Sequence, residues 1–129
     1  MCGLHTTKRV LSAFVMIKIK RVYTAAAEDD GFRILVDRLW PRGISKENAK
    51  VDLWLKEVAP SNELRKWFSH DSERWEDFKR KYGKELAAKQ ELLKEIRQIG
   101  KEKGMVTLVY SARDVKRNNA VALKAVLEK

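Results

Sequence analysis

Residues 33–43 contain a short apolar run that leads directly into charged residues and then into a proline-containing turn. The run from Ile34 to Val36 is typical of a buried strand, so Asp37 and Arg38 are expected at the exit of that strand. Ligands of open α/β sheets gather outside the carboxyl ends of the strands. The charged residues at this exit are therefore the first candidates for function.

Two more strands and several helices are predicted around this run. Apolar and basic residues alternate over 17–23, which indicates a half-buried strand. The run at 34–36 lies in a strand predicted over 32–38, and a similar apolar run predicts another strand over 105–110. Apolar residues at helical spacing predict four helices. The first helix begins after Ser45 and carries Val51, Trp54, Leu55 and Val58, and the second follows a cap at Ser61. The third is a long helix over 73–99 in which Gly83 is a weak point. The last helix begins after Asn118 or Asp114.

A helical stretch separates the strands at 32–38 and 105–110. Such a crossover normally joins parallel strands, so the two exits should face the same way. The predicted fold class is α/β, a small three-layer fold with a short, mainly parallel sheet flanked by helices and a polar, net-basic pocket on one edge. That rim would carry Asp37, Arg38, Arg42, Ser111, Arg113 and Asp114, with Asn118 and Asn119 nearby.

The arginines of this rim are the basis of a predicted anion site. Guanidinium groups hold phosphate or carboxylate through paired donors, and the start of the last helix adds backbone N–H groups. The alternative is that Asp37 pairs with Arg113 and Arg38 with Asp114, which would only clamp two strand exits together. The predicted ligand-binding residues are Arg38, Trp40, Arg42, Ser111, Arg113, Asn118 and Asn119.

Acid–base chemistry could fall to Asp37, Asp114 or His70. His70 precedes a predicted helix, so the alternative role for it is that of a helix cap. Trp40 lies between two arginines in the turn, where it would either stack on a base or pack under a guanidinium group. The spacing of histidine and cysteine predicts no metal site. The sequence also has no glycine-rich phosphate loop, nucleophile elbow or dinucleotide motif, so it predicts no cofactor.

Composition limits the class of protein. A chain of 129 residues with 44% hydrophobic and 36% charged residues fits one well-folded domain, and its content of lysine and glutamate hints at a heat-loving source. The single cysteine indicates no disulfide framework and a cytoplasmic setting. A membrane span is not predicted, because no apolar run approaches the roughly 20 residues that one needs.

The net charge of +10 predicts attraction to phosphates and to nucleic acid, although lysine-rich solvated helix faces explain it equally well. Residues 1–15 have no clear periodicity and precede Met16 and a clean strand. We therefore expect a flexible N-terminal extension over 1–15 and a single α/β domain over 16–129.

Residues 16–129 resemble the YeaO-like family of bacterial and archaeal proteins, whose function is uncharacterised. The resemblance implies a small α/β domain and supplies no established reaction. It rests on Val-Asp-Arg-Leu-Trp-Pro-Arg-Gly at 36–43, Leu-Trp-Leu-Lys-Glu-Val-Ala-Pro-Ser at 53–61, Leu-Arg-Lys-Trp-Phe-Ser-His-Asp at 64–71, Leu-Val-Tyr-Ser-Ala-Arg-Asp at 108–114 and Asn-Asn-Ala at 118–120.

A weaker similarity is to the rhodanese and small-phosphatase pattern, in which a strand leads into an anion-binding loop and then a helix. The position of the nucleophile would here be Ser111 instead of a cysteine. This difference argues against sulfur transfer and against cysteine-based phosphatase chemistry, and leaves an inherited anion pocket.

Three hypotheses follow. The first is a cytoplasmic domain that binds a small ligand carrying phosphate or carboxylate at the strand exits, with or without acting on it. The second is a nucleic-acid-binding or regulatory protein that uses its basic surface, and the third is a domain that only binds a protein partner. Salt separates the first two, because contacts with a phosphate backbone weaken steeply as salt rises.

Overall fold

A computed structural model describes residues 16–129 of the chain, and the extension predicted over 1–15 lies outside the described residues. No helix within 16–129 is long and apolar enough to span a bilayer. The strands are β1 (Ile17–Arg21), β2 (Phe32–Leu35), β3 (Leu53–Trp54) and β4 (Val106–Tyr110). The helices are α1 (Lys46–Ala49), α2 (Asn62–Phe68), α3 (Trp75–Ala87), α4 (Gln90–Lys103) and α5 (Asn119–Leu127), with single 3-10 turns at Glu28–Asp30, Lys56–Val58 and Ser72–Arg74.

The strands form one parallel sheet in the order β1-β4-β2-β3. Leu108 of the central strand β4 lies opposite Ile19 on one side and Ile34 on the other. The predicted parallel arrangement of β2 and β4 is confirmed, as is the small α/β fold. The exits of β1, β2 and β4 therefore meet at one edge of the sheet.

The two faces of the sheet are covered unequally. One face carries Ile34, Leu108 and Tyr110, and with residues of α2 to α5 these side chains form the main hydrophobic core. The other face carries Leu35 and Val109, which pack in a smaller cluster with α1 and the loop that follows β2. Tyr82, whose hydroxyl donates to the carbonyl of Val58 at 2.6 Å, is the largest fully buried side chain of the main core. The sheet is thus the middle of three layers.

The prediction of a helix that carries Val51, Trp54, Leu55 and Val58 is wrong beyond the first turn of that helix. Ser45 does cap a helix, since its hydroxyl accepts from the N–H of Asn48, but α1 ends after Ala49, where Lys50 adopts a left-handed backbone with φ of 50°. The next residues pair with β2, because Leu53 and Trp54 lie opposite Ile34 and Leu35. Hydrogen bonding to the free edge of β2 thus overrides the helical spacing.

The long helix predicted over 73–99 is in fact two helices, α3 and α4, with the break at Ala88 and Lys89. Gly83, the predicted weak point, lies inside α3. The break turns the chain so that Leu93 and Ile96 of α4 reach the main core beneath the sheet. The Lys89 ammonium group donates to the carbonyl of Glu57 at 2.6 Å, which holds this turn to the loop after β3.

A network of charged side chains lies on the thinly covered face. The Asp30 carboxylate is fully buried and accepts from Lys18 at 3.0 Å, from Lys20 at 3.1 Å and from Arg33 at 2.6 Å. Burial alone would raise the pKa of Asp30, but the hydrogen bonds from the Ala27 N–H and these three cations hold it well below its usual range. Throughout 16–129, every buried side-chain nitrogen and oxygen has a hydrogen-bond partner.

We expect Gly31→Ala to destabilise the fold strongly. Gly31 has a φ of 65°, and a Cβ atom there would lie 2.3 Å from the carbonyl oxygen of Met105 at the start of β4. Overpacking of this kind costs about 1–3 kcal/mol, and the left-handed backbone adds to it. Urea denaturation measures the loss.

Gly43→Ala is the matched control, because Gly43 has a φ of 74° and its added Cβ would meet no atom of the described residues within 4 Å. Equal losses in both variants would contradict the steric argument.

Candidate anion-binding site

An open cleft of about 1160 Å³ lies at the edge of the sheet where β1, β2 and β4 end. The loops after these strands form part of its lining, and α2 with the turn that follows it forms the rest. Its polar and charged lining residues are Arg21, Tyr23, Asp37, Arg38, Trp40, Arg42, Arg65, Lys66, Ser69, His70, Ser111, Arg113, Asp114 and Asn119.

Every candidate residue from the sequence except Asn118 lines this cleft. Asn118 is buried and serves the backbone, since its side-chain oxygen accepts from the N–H of Val121 at 3.0 Å and its amide donates to the carbonyl of Asp114 at 2.8 Å. It is the N-cap of α5. Of the two residues predicted to cap the last helix, Asn118 is the one that does, and it contributes to the cleft only by placing Asn119.

Asp37 connects the exits of β2 and β4. Its Oδ2 accepts from the N–H of Ser111 at 2.9 Å and from the Ser111 hydroxyl at 2.7 Å. Its Oδ1 accepts from the Asn119 amide at 3.1 Å. Burial raises the pKa of Asp37, and the hydrogen bonds from Ser111 and Asn119 oppose that rise. The carboxylate is thus engaged by protein donors on both oxygens, as expected of a group that positions its neighbours.

Two arginines of the cleft are occupied by backbone carbonyl groups. Arg38 donates to Pro60 at 3.1 Å and to Ala59 at 3.2 Å, which ties the exit of β2 to the start of α2. Arg21 donates to Ala112 at 2.9 Å and to Ser111 at 3.1 Å. Both guanidinium groups are therefore held in fixed positions beside the cleft.

The predicted ion-pair clamp does not form. Among the ion pairs of residues 16–129, Asp37 is not joined to Arg113, and Asp114 pairs with Arg117 instead of Arg38, at 3.9 Å. Asp114 also accepts from the backbone N–H groups of Lys116 and Arg117, and these bonds lower its pKa. The strand exits are joined by the neutral donors around Asp37, so Arg113 is not needed for that purpose.

Trp40 does not take part in any of the cation–π contacts of residues 16–129, and its stacking on a base stays a prediction. Its indole N–H donates to the carbonyl of Ile44 at 2.8 Å, and its ring packs edge-on against Trp54 with centroids 5.5 Å apart. The N–H of Trp54 donates in turn to the carbonyl of Asp37 at 2.7 Å. The two tryptophans therefore brace the loop after β2.

Four cations of the cleft are exposed: Arg42, Arg65, Lys66 and Arg113. None of them forms an ion pair with another residue in the described part of the chain. The two carboxylates of the cleft, Asp37 and Asp114, are both bound by protein donors. Positive charge therefore exceeds negative charge, and much of it is uncompensated.

The sequence profile of the family described as "Inactive DUF488-N3 subclade" matches residues 16–129. The chain belongs to this family. The chain is 45% identical over 107 residues to the uncharacterised protein YeaO of Escherichia coli, a match that covers 83% of this chain and 92% of YeaO. It is 41% identical over 111 residues to an uncharacterised protein of Mycobacterium tuberculosis, covering 86% of this chain and 92% of that protein. No solved structure gives a significant match.

The YeaO-like resemblance inferred from the sequence motifs is confirmed by these comparisons. The matched relatives are uncharacterised, so a function for this member of the family must be argued from the cleft itself.

Sequence reasoning missed several residues of the cleft. Arg21 ends β1, and the rule of strand exits would have found it if β1 had been placed parallel beside β4. Arg65 and Lys66 lie on the exposed face of α2. Nothing in their local sequence separates them from the other surface cations, because only the position of α2 beside the sheet edge brings them to the cleft.

The described residues contain no group of three or more histidine, cysteine, aspartate and glutamate side chains that could hold a metal ion. The cleft of this family member instead presents arginine and lysine. Its chemistry suits an anionic group bound by direct charge-assisted hydrogen bonds.

Proposed function

We propose that this protein is a cytoplasmic domain that binds a small ligand bearing a phosphate or carboxylate group in the cleft at the strand exits. The observation that carries the proposal is the set of four exposed cations without a carboxylate partner in the described chain, Arg42, Arg65, Lys66 and Arg113. Uncompensated guanidinium groups lining one concave site favour an anionic ligand, because such groups bind carboxylate and phosphate through paired donors.

Binding is favoured over catalysis. Both oxygens of Asp37 accept hydrogen bonds from Ser111 and Asn119, which favours a structural role for this carboxylate in joining the strand exits. Oδ1 of Asp114 accepts from two backbone N–H groups of its own loop, which favours a role in shaping that loop. The description of the family as inactive points in the same direction. We therefore propose that the cleft holds its ligand without converting it.

The net charge of +10 favours a second candidate, a nucleic-acid surface. Sequence-tolerant binding of single strands usually requires free aromatic faces. In this protein the ring of Trp67 lies near the cationic groups of Arg74 and Lys81, with centroid distances of 5.1 and 5.0 Å, and Trp75 lies 5.5 Å from the ammonium of Lys79. These faces already hold cations of the same chain, which makes the cleft the better supported site.

We expect Arg113→Ala to weaken the binding of inorganic phosphate and of adenosine monophosphate by about 10-fold or more, since one charge-assisted hydrogen bond contributes about 1.5–3 kcal/mol. Arg42→Ala should have a similar effect. Isothermal titration calorimetry with the full-length protein, at low salt and again at high salt, measures both affinities.

Arg80→Ala is the matched control. It also removes one arginine from the surface, but Arg80 is exposed on α3, pairs with Asp77 at 3.1 Å and does not line the cleft. The control should leave both affinities unchanged. Unaltered affinity in the Arg42 and Arg113 variants would refute the proposal, and a short duplex whose binding disappears at high salt would favour the nucleic-acid surface.

A further inference from the structure

The turn that follows α2 has an unusual backbone. Ser69 and His70 have φ values of 45° and 60°, and the N–H of Asp71 closes the turn by donating to the carbonyl of Phe68 at 2.8 Å. Turns with positive φ at both central positions are dominated by glycine, asparagine and aspartate. Serine and histidine are therefore held here in a conformation that costs each of them free energy.

The end of the helix accounts for only one of these two residues. A helix commonly ends with a single left-handed residue, and Ser69 has that role, since its N–H donates to the carbonyl of Arg65 at 3.0 Å. His70 is the second such residue. Its side chain is exposed, lines the cleft and forms no hydrogen bond with another residue of 16–129. Its ring lies against that of Phe68, with centroids 6.4 Å apart, but neither ring nitrogen has a hydrogen-bond partner in the described chain.

The size and the lining of the cleft suggest what His70 contacts. Sites of about 300–1,000 Å³ hold ligands with many atoms, and a volume of about 1160 Å³ far exceeds the needs of a free phosphate ion. The loop after β2 also presents Leu39, which is 62% exposed and lines the same cleft. A ligand with an organic body could cover that apolar side chain while its anionic group lies on the arginines.

We infer that the ligand is an organic phosphate monoester of about nucleotide size, whose phosphate is held by Arg42 and Arg113 and whose organic body contacts the imidazole of His70. This inference rests on the proposed function, because it requires that the cleft binds an anion. The strained turn after α2 places the ring at the cleft, and the ligand supplies the hydrogen-bond partner that the described chain does not. His70 is thus a residue that determines which anions bind.

The test is His70→Gly, which relieves the backbone and removes the ring. We expect the midpoint of urea denaturation to rise, because glycine adopts positive φ without strain. We expect the affinity for adenosine monophosphate to fall about 10-fold, the effect of losing roughly 1.4 kcal/mol of contact, while the affinity for inorganic phosphate stays unchanged. A purely structural role for His70 predicts the gain in stability without the loss of affinity.

Two further variants support the comparison. Lys50→Gly is the control for strain relief, since Lys50 also has a positive φ of 50° but does not line the cleft, so its affinities should match those of the unmodified protein. His70→Asn keeps a residue that tolerates the left-handed backbone and should also bind the nucleotide less tightly.

The outcomes separate the two proposals. If the unmodified protein binds neither phosphate nor the nucleotide, the proposed function fails. If Arg113→Ala weakens both ligands but His70→Gly leaves the nucleotide affinity unchanged, only the inference about His70 is overturned. Nucleotide binding no tighter than that of free phosphate would also overturn it.

Discussion

Replacing Asp30 with alanine should lower the free energy of unfolding by about 3 kcal/mol or more, because removal of one partner leaves a buried charge uncompensated. That charge belongs to Arg33, which is only 4% exposed and donates to Asp30 at 2.6 Å. The remaining bonds of Arg33, to the carbonyls of Ala49 and Lys50, cannot neutralise it. Urea denaturation monitored by tryptophan fluorescence measures the loss.

Asp29→Ala is the matched control for this variant. Asp29 is the neighbouring residue, its side chain is 82% exposed, and it pairs only loosely with Lys18 at 3.5 Å. Exposed ion pairs contribute little, so this variant should unfold at nearly the same urea concentration as the unmodified protein. Similar losses at positions 29 and 30 would mean that burial of Asp30 is not the cause.

The same network makes the free energy of unfolding depend on pH in the acidic range. The pKa of Asp30 lies well below that of an aspartate in the unfolded chain, so the unfolded state takes up a proton first. The stabilisation is fully present above about pH 4 and declines as the pH falls below that value. Asp30→Asn has no proton to gain at this position, and its stability should therefore decline less steeply between about pH 4 and pH 2.

Replacing Asp37 with alanine should weaken ligand binding strongly as well as reduce stability. The carboxylate accepts three hydrogen bonds that join the exit of β2 to Ser111 after β4 and to Asn119 at the start of α5. An unpaired buried donor costs about 1–3 kcal/mol, and the donors of Ser111 and Asn119 are partly buried, so a loss of about 2 kcal/mol in unfolding free energy is expected for the three bonds together. If the two loops separate, Arg42 and Arg113 can no longer hold one anion as we propose, and the affinity for phosphate should fall at least about 10-fold.

Asp114→Ala tests whether Asp37 affects ligand binding through the loops that it positions or only through its negative charge. Asp114 also lines the cleft, and its removal also takes away one negative charge, but it accepts only from N–H groups of its own loop. If charge alone governs affinity, both aspartate variants should bind phosphate more tightly. We expect tighter binding only in Asp114→Ala. Tighter binding in Asp37→Ala, measured by calorimetry, would contradict a positioning role for Asp37.

Local patterns were sufficient for the features that depend on neighbouring residues in the chain. The apolar runs before Asp37 and Ser111 predicted two buried strands, and the crossover between them predicted that their exits meet. The helix caps at Ser45, Ser61 and Asn118 could also be predicted, because the side chain of a cap accepts from a backbone N–H only three residues away. The strand exits therefore pointed to the cleft before any tertiary contact was known.

The helix errors have a common physical cause. Leu53 and Trp54 carry apolar side chains at helical spacing, but β2 offered them a free row of hydrogen-bonding groups. The chain breaks at Ala88 and Lys89 without glycine or proline, because separate directions let α3 and α4 both reach the core. Propensity is a weak preference that packing overrides.

The parallel α/β class, the family and the edge of the sheet that carries the cleft could all be predicted from residue patterns. Which charges at this edge are free depends on the folded arrangement. Arg38 donates to the carbonyls of Ala59 and Pro60, while Arg113 has no carboxylate partner in the described chain. The reason is that hydrophobic periodicity specifies which face of an element is buried and says nothing of its distant partners. Those partners are set by side-chain contacts between residues far apart in the chain, and the free charges depend on them.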